Sequence, residues 1–277
     1  MRKINYPLIV SDFDGTLVKA DGTISAYTKE TIKNYIENGG KFVISTGRMP
    51  SGILPRAREL GLQGLIACGQ GAAIVDIETK QVILEGTIPM ETAIAVCEKM
   101  EEMGLHIHVY DLWDFYANKD DSALAMYEHI LRCKGKLVLD KPMSVFIRER
   151  HLSPHKILVM VEPEDNERVR LALEKEGFLG CEVTRSSAYL VEVCNAAYSK
   201  GTAIKMLAEH YHIPIKKTVG IGDQYNDLSM IQAAGVGIAV KNADEKLKEH
   251  ATIFPYSNEE DAVAKIIEKY GYEEEQA

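Results

Sequence analysis

Near both ends of the chain, short apolar runs break abruptly into polar residues. Leu8-Ile9-Val10 ends in Ser11-Asp12-Phe13-Asp14-Gly15-Thr16, Phe42-Val43-Ile44 in Ser45-Thr46-Gly47-Arg48, and Leu65-Ile66-Ala67-Cys68 in Gly69-Gln70-Gly71-Ala72. Runs this short, without polar alternation, fit strands buried on both faces, as in a parallel sheet. Between them Ser25 is placed to cap a helix in which Ile32, Tyr35 and Ile36 share a face and which Gly39-Gly40 stops. A shorter helix is expected over 51–60. The same texture returns after about residue 199, with a helix over 199–211 and apolar runs at 218–221 and 236–240. Strand alternating with helix predicts an α/β protein built on a doubly wound, Rossmann-like parallel sheet.

The middle of the chain reads differently. A helix over 89–103 precedes the alternating Leu105-His106-Ile107-His108-Val109-Tyr110, and period-two alternation suggests strands with one solvated face in an antiparallel sheet. Residues 157–161, a helix over 164–176 and a strand pair at 181–186 and 189–194 complete an α+β unit. The expected organisation is a core of 1–83 and 190–277 with residues 84–189 inserted as an α+β cap that governs substrate specificity. The acidic end 272–277 reads as a frayed tail.

Composition narrows the function classes. The 277 residues are 46% hydrophobic and 26% charged, ordinary for a soluble globular chain. A net charge of −9 argues against an extended nucleic-acid-binding face. It leaves room for a small anionic substrate, because a bound divalent cation inverts the local field. No run approaches the ~18 apolar residues of a membrane helix, and the amino terminus lacks the pattern of a signal peptide. Five widely spaced cysteines without a CxxC pair suggest a reduced, cytoplasmic protein. Oligomeric state is not legible.

Candidate chemistry gathers where the apolar runs end. In an open α/β sheet, ligands bind beyond the carboxyl ends of the strands. Asp12 and Asp14, two apart on extended backbone, face the same way; alone, the pentapeptide fits a solvated turn equally well. The run 218–221 ends in Gly222-Asp223-Gln224-Tyr225-Asn226-Asp227. Hard cations such as Mg²⁺ take oxygen ligands, so Asp223 with Asp12 suits such an ion, with Asn226 and Asp227 completing or orienting the shell. The alternative is a helix amino terminus that favours acids. Thr46 and Gly47 offer a hydroxyl and backbone N–H groups to a phosphate. Lys200 opens a helix against its dipole, which suggests a role for its ammonium, although a solvated lysine is the alternative. Arg48 fits either an anionic substrate group or a salt bridge. His106, His108, Tyr110 and Trp113 read as packing residues before they read as a metal or stacking cluster.

Together these stretches resemble the four ordered motifs of the haloacid dehalogenase superfamily of phosphohydrolases, in the Cof-type branch with the larger cap. Asp12-Phe13-Asp14-Gly15-Thr16 is similar to the first motif, Ser45-Thr46-Gly47-Arg48 to the second, Ser199-Lys200-Gly201 to the third and Gly222-Asp223-Gln224-Tyr225-Asn226-Asp227 to the fourth. The resemblance implies that Asp12 is a nucleophile forming an aspartyl-phosphate and that Asp14 is general acid and base. It also implies Mg²⁺ held by Asp12, the Asp14 carbonyl and Asp223, and a phosphoryl group held by Thr46 and Lys200. The expected activity is hydrolysis of small phosphorylated metabolites such as sugar phosphates. A phosphomutase and a non-catalytic phosphometabolite-binding protein are the alternatives. Two departures border the site: Gln70 stands where relatives carry Asn, and Lys241 where glycine is common.

Overall fold

The protein is described here from a computed structural model, which describes residues 2–131 and 133–273. Its strands, in chain order, are β1 (Leu8–Ser11), β2 (Lys41–Ser45), β3 (Leu65–Cys68), β4 (Ala73–Asp76), β5 (Val82–Glu85), β6 (His106–Tyr110), β7 (Phe115–Ala117), β8 (Lys136–Leu137), β9 (Lys156–Met160), β10 (Cys181–Ser187), β11 (Leu190–Asn195), β12 (Thr218–Gly222), β13 (Val236–Ala239) and β14 (Thr252–Ile253). The helices are α1 (Ala26–Glu37), α2 (Pro50–Glu59), α3 (Met90–Glu102), α4 (Ser122–Leu131), α5 (Met143–Arg150), α6 (Pro163–Glu176), α7 (Lys200–His210), α8 (Leu228–Ala233), α9 (Glu245–Lys248) and α10 (Ala262–Tyr270).

The chain forms two compact units. The first draws on the residues up to Gly47, on Arg56–Ile83 and on those from Ser199 onward; the second holds Arg48–Pro55 and Leu84–Tyr198.

In the first unit the sheet order is β14-β13-β12-β1-β2-β3-β4-β5. From β14 to β3 neighbouring strands pair in parallel, whereas β4 returns antiparallel to β3. That return was not expected from the sequence, where Gly69–Ala72 read only as a loop. Leu8, Ile9 and Val10 of β1 are wholly buried, as a strand covered on both faces must be. Burying each such side chain contributes about 1.5–3 kcal/mol. Ser25 does cap α1, its hydroxyl accepting from Thr28 N at 3.0 Å, a contact worth ~1 kcal/mol. The frayed tail expected over 272–277 does not include its first two residues, Glu273 N donating to Lys3 O at 2.9 Å. Tyr272 is buried, its ring edge-on to Tyr35 at 6.0 Å. Residues 274–277 lie outside the described residues.

The second unit has its own sheet, in the order β10-β11-β9-β6-β7-β8. Its pairs are antiparallel except β7 with β8. Ile107 and Val109 of β6, Ile157 and Val159 of β9, and Val191 and Val193 of β11 share a core with Val96 and Met100 of α3, Ile147 of α5 and Leu173 of α6. The sequence boundary at 189 falls inside the β10–β11 hairpin, and the second unit continues through Tyr198. The expected solvated face is also absent from β6, where all five residues are buried.

Candidate active site

At the centre of the first unit β1 lies between β2 and β12, all three parallel. Strand order reverses there, and the carboxyl ends of the three strands open on one crevice, where α/β sheets bind ligands. The three motif loops that follow those strands therefore meet, although they lie far apart in sequence.

Asp12 extends β1 by one bond, its N–H donating to Ile221 O at 2.8 Å, and its side chain is buried. Phe13 turns into the core, while Asp14 is exposed. Gly15 has φ +81°, and a Cβ there would meet Asp223 Oδ2 at 2.5 Å. Only glycine combines that backbone with so close a carboxylate. Thr16 then donates from Oγ1 to Asp223 Oδ1 at 2.7 Å, and Gln224 Nε2 donates to Asp223 Oδ2 at 3.1 Å.

Lys200 reaches the acids from the first position of α7. Ser199 caps that helix, its hydroxyl accepting from Thr202 N at 3.1 Å while Ser199 N donates to Thr202 Oγ1 at 2.7 Å. The ammonium is almost wholly buried and donates to Asp12 Oδ1 at 2.5 Å and Asp227 Oδ1 at 2.6 Å. Asp227 Oδ2 accepts from the backbone N–H groups of Asp223 at 2.9 Å and Gln224 at 3.0 Å. Both Asp227 oxygens are thus engaged, and its carboxylate anchors Lys200 and ties down the loop after β12.

Carboxylate oxygens of Asp12, Asp223 and Asp227 lie within 4.8 Å of one another, the one group among the described residues able to hold a metal ion. Three buried carboxylates surround one ammonium. Burial raises the Asp12 carboxyl well above its ordinary range, Lys200 opposes this, and Asp227 and Asp223 reinforce it. Burial also raises Asp223. For Lys200, burial works toward the neutral form, but the charges of Asp12 and Asp227 outweigh it and hold the ammonium protonated. The cluster is short of positive charge and rich in oxygen, which fits a hard divalent cation.

Thr46 is buried, and its N–H donates to Ala67 O at 2.9 Å. Its carbonyl accepts from Gln70 N at 3.1 Å. Gln70 adopts the left-handed conformation, φ 59°, and a Cβ on Gly47 would lie 2.6 Å from its Nε2. Its Oε1 accepts from Asn226 Nδ2 at 3.3 Å. Gln70 therefore joins the Thr46-Gly47 loop to the loop carrying Asn226. Lys241 instead pairs with Glu260 at 3.3 Å on the surface. The two residues around it that do reach the site are Asn242, donating to Gly15 O at 2.8 Å, and Asp244, whose N donates to Asp223 O at 2.7 Å.

Of the residues singled out in the sequence, Asp12, Lys200, Asp223 and Asp227 form one bonded network, with Asp14, Thr46, Gly47 and Asn226 on the loops that carry it. Arg48 belongs to the second unit, where its charge acts on Tyr127. Sequence reasoning gave no role to Thr16 or Gln224. Their signal is positional: each lies within four residues of a candidate ligand and carries a side-chain donor. Among the described residues, no helix is long and apolar enough to cross a membrane.

Comparison with known proteins agrees with this geometry. The family model of the haloacid dehalogenase-like hydrolases matches residues 9–267. A Haemophilus influenzae protein carrying a phosphatase name is 30% identical over 269 residues, covering 95% of this chain and 98% of its own. The pyridoxal phosphate phosphatase YbhA of Escherichia coli is 25% identical over 273 residues, covering 94% and 97%. The crystal structure of a haloacid dehalogenase-like hydrolase from Bacteroides thetaiotaomicron superposes with a TM-score of 0.82 at 30% identity, covering 95% of this chain and 99% of that one. The chain belongs to the haloacid dehalogenase-like hydrolases, in their Cof-type branch, and is a phosphatase of that family.

Proposed function

We propose that the protein is a Mg²⁺-dependent phosphatase of small phosphorylated metabolites that works through an aspartyl-phosphate on Asp12. The observation that carries this reading is the buried Lys200 ammonium bonded to Asp12, with the exposed Asp14 two residues further on. An Asp12 carboxylate oxygen attacks phosphorus, the P–O bond to the ester oxygen breaks, and Asp14 delivers its proton to that departing oxygen. Asp14, now a carboxylate, takes a proton from water; the water oxygen attacks phosphorus and the P–O bond to Asp12 breaks, releasing inorganic phosphate. Lys200 offsets the repulsion between the Asp12 carboxylate and the anionic phosphoryl group. Thr46, Gly47 and Asn226 orient its oxygens, and Gln70 keeps their loops in register. Asp12, Asp223 and the Asp14 carbonyl would hold Mg²⁺, which would supply positive charge to offset that of the transferring group. Asp227 serves that site by fixing Lys200 and the Asp223 loop.

The inserted second unit is the part of the chain assigned here to substrate selection. Sugar phosphates and pyridoxal phosphate, the substrate in the name of the Escherichia coli relative, are the first compounds to screen.

The deciding experiment measures phosphate release from such a panel with Mg²⁺ and after exhaustive chelation. Turnover is expected only with the metal, and acid-quenched enzyme is expected to carry phosphate on Asp12. Full turnover by chelated enzyme would exclude the metal role, and formation of an isomeric sugar phosphate without free phosphate would favour a mutase.

A further inference from the structure

In the first unit, the turn that follows Asp14 is held from a distant part of the chain. Leu17 N and Val18 N both donate to Phe13 O, at 3.1 and 3.0 Å, and close residues 13–18 into one turn. Two carbonyls of that turn accept from asparagine side chains 227 and 240 positions away: Asn242 Nδ2 donates to Gly15 O and Asn258 Nδ2 to Val18 O, each at 2.8 Å. The asparagines are themselves joined, Asn258 N donating to Asn242 Oδ1 at 3.1 Å. Just beyond the turn, Ala20 N donates to Glu259 Oε1 at 2.6 Å.

Both ends of this bridge are fixed to regular structure. Asp261, immediately before α10, accepts from Thr28 Oγ1 of α1 at 3.1 Å, and Val263, Ile266 and Ile267 of α10 are buried. The loop of Asn242 is tied to β12 and the acid that follows it, Val240 N donating to Gly222 O at 3.2 Å and Asp244 N to Asp223 O at 2.7 Å. The bridge adds little to stability, because Asn242 is exposed and Asn258 half-buried, so water can replace their partners. Its effect is on backbone freedom. Asp14 lies between Asp12, whose N–H is bonded to Ile221, and Gly15, whose carbonyl is bonded to Asn242. Glycine has the widest choice of backbone conformations, so the bond at its carbonyl supplies a restraint that its own side chain cannot. An acid that must place a proton on a departing oxygen works only from a narrow range of positions.

We propose that Asn242 and Asn258 are positioning residues for Asp14, together holding the Gly15–Val18 turn so that the Asp14 carboxyl meets the leaving oxygen. This rests on the phosphatase reading above, with Asp14 as the acid, and adds to it two residues outside the four motifs.

The test is a double-mutant cycle. Asn242→Ala and Asn258→Ala, each alone and combined with Asp14→Asn, are followed in single-turnover phosphorylation at saturating Mg²⁺, with a hexose 6-phosphate and with p-nitrophenyl phosphate. Misplacing a catalytic group by about 1 Å costs up to ~100-fold. Asn242→Ala is expected to lose about 10- to 100-fold on the hexose phosphate and much less on the aryl ester, whose leaving group departs without a proton. Asn258→Ala is expected to show the same pattern more weakly, and neither to lose anything further once Asp14→Asn is present. General damage to the fold or to phosphate binding would instead lower both esters alike and add to the effect of Asp14→Asn. Equal losses on the two esters, an undiminished loss beside Asp14→Asn, or unchanged rates in both variants would overturn the proposal. Hydrogen exchange at the Leu17 and Val18 amides gives a readout that needs no turnover. Faster exchange in both variants is expected, and unchanged exchange would show that the asparagines do not hold the turn. If the wild type releases phosphate from no compound, the phosphatase reading fails instead, and the exchange measurement alone decides the bridge.

Discussion

Asp14 carries the sharpest residue-scale prediction, because it is exposed two residues beyond the buried Asp12. Asp14→Asn keeps the backbone carbonyl and the shape but removes the transferable proton. General acid–base catalysis contributes ~10²–10⁴-fold, and a loss of that order is expected with an alkyl phosphate. An aryl phosphate, whose leaving group departs without a proton, should lose much less in single-turnover phosphorylation and should leave phosphoenzyme trapped on Asp12. Equal losses for both esters would remove Asp14 from the acid role. Gly15 gives a second, independent prediction. Gly15→Ala forces a Cβ onto Asp223 at a positive φ, so a stability loss of roughly 1–3 kcal/mol is expected, together with weaker Mg²⁺ binding measured by calorimetry. Unchanged metal affinity would mean that Asp223 does not hold the ion.

Among the elements, β6 is the one whose physics the sequence concealed. His106 and His108 looked like alternate positions on a half-solvated strand, yet both are buried with ring nitrogens 3.1 Å apart. Burial, reinforced by the neighbouring His106 and Lys156, lowers His108 to about 3. A histidine whose folded value lies below its ordinary 6.5 contributes stability above pH 6.5 that is lost as pH falls toward 3. That predicts a loss of about 2 kcal/mol between pH 7 and pH 5, read from urea unfolding, and His108→Phe should flatten the slope. An equally steep slope in the variant would place the titrating group elsewhere. The strands that end in the motif loops were legible because doubly buried strands cannot hide their apolar runs. Asp12 and Asp223 were singled out by the order and spacing of four motifs, since an acid at a turn or a helix start is ordinary by itself, whereas Lys200 stood out because it opens a helix against its dipole. The helices α4, α5 and α10 were not read as elements. Nor were the contacts of Thr16, Gln70 and Gln224, since hydroxyls and amides in loops are ordinary in sequence and acquire meaning only from a partner up to about 200 positions away.

At the scale of the whole molecule, the acids are confined to one unit and the single tryptophan to the other. Asp12, Asp223 and Asp227 lie in the first unit and Trp113 in the second. A ligand that binds only folded protein raises its stability by mass action. Mg²⁺ is therefore expected to raise the midpoint of a thermal transition followed by circular dichroism, while the transition reported by Trp113 fluorescence moves less. Identical shifts in the two signals would show that the units unfold as one.

The place of β1 between β2 and β12 also sets an order of events during synthesis. Leu8 pairs with Thr218, so the central strand leaves the ribosome long before one of its two neighbours exists. At ~5–20 residues per second that interval is roughly 10–40 s. The second unit is almost entirely one continuous stretch, Leu84–Tyr198, and its core is complete before β12 emerges. The unit that is an insertion in the sequence is thus expected to be the first to finish folding. Until the chain passes Gly222, the apolar β1 and β2 stand with an open edge, exposed to pairing with other chains. Nascent chains stalled before β12 should accordingly be the aggregation-prone species, and those stalled beyond it protected.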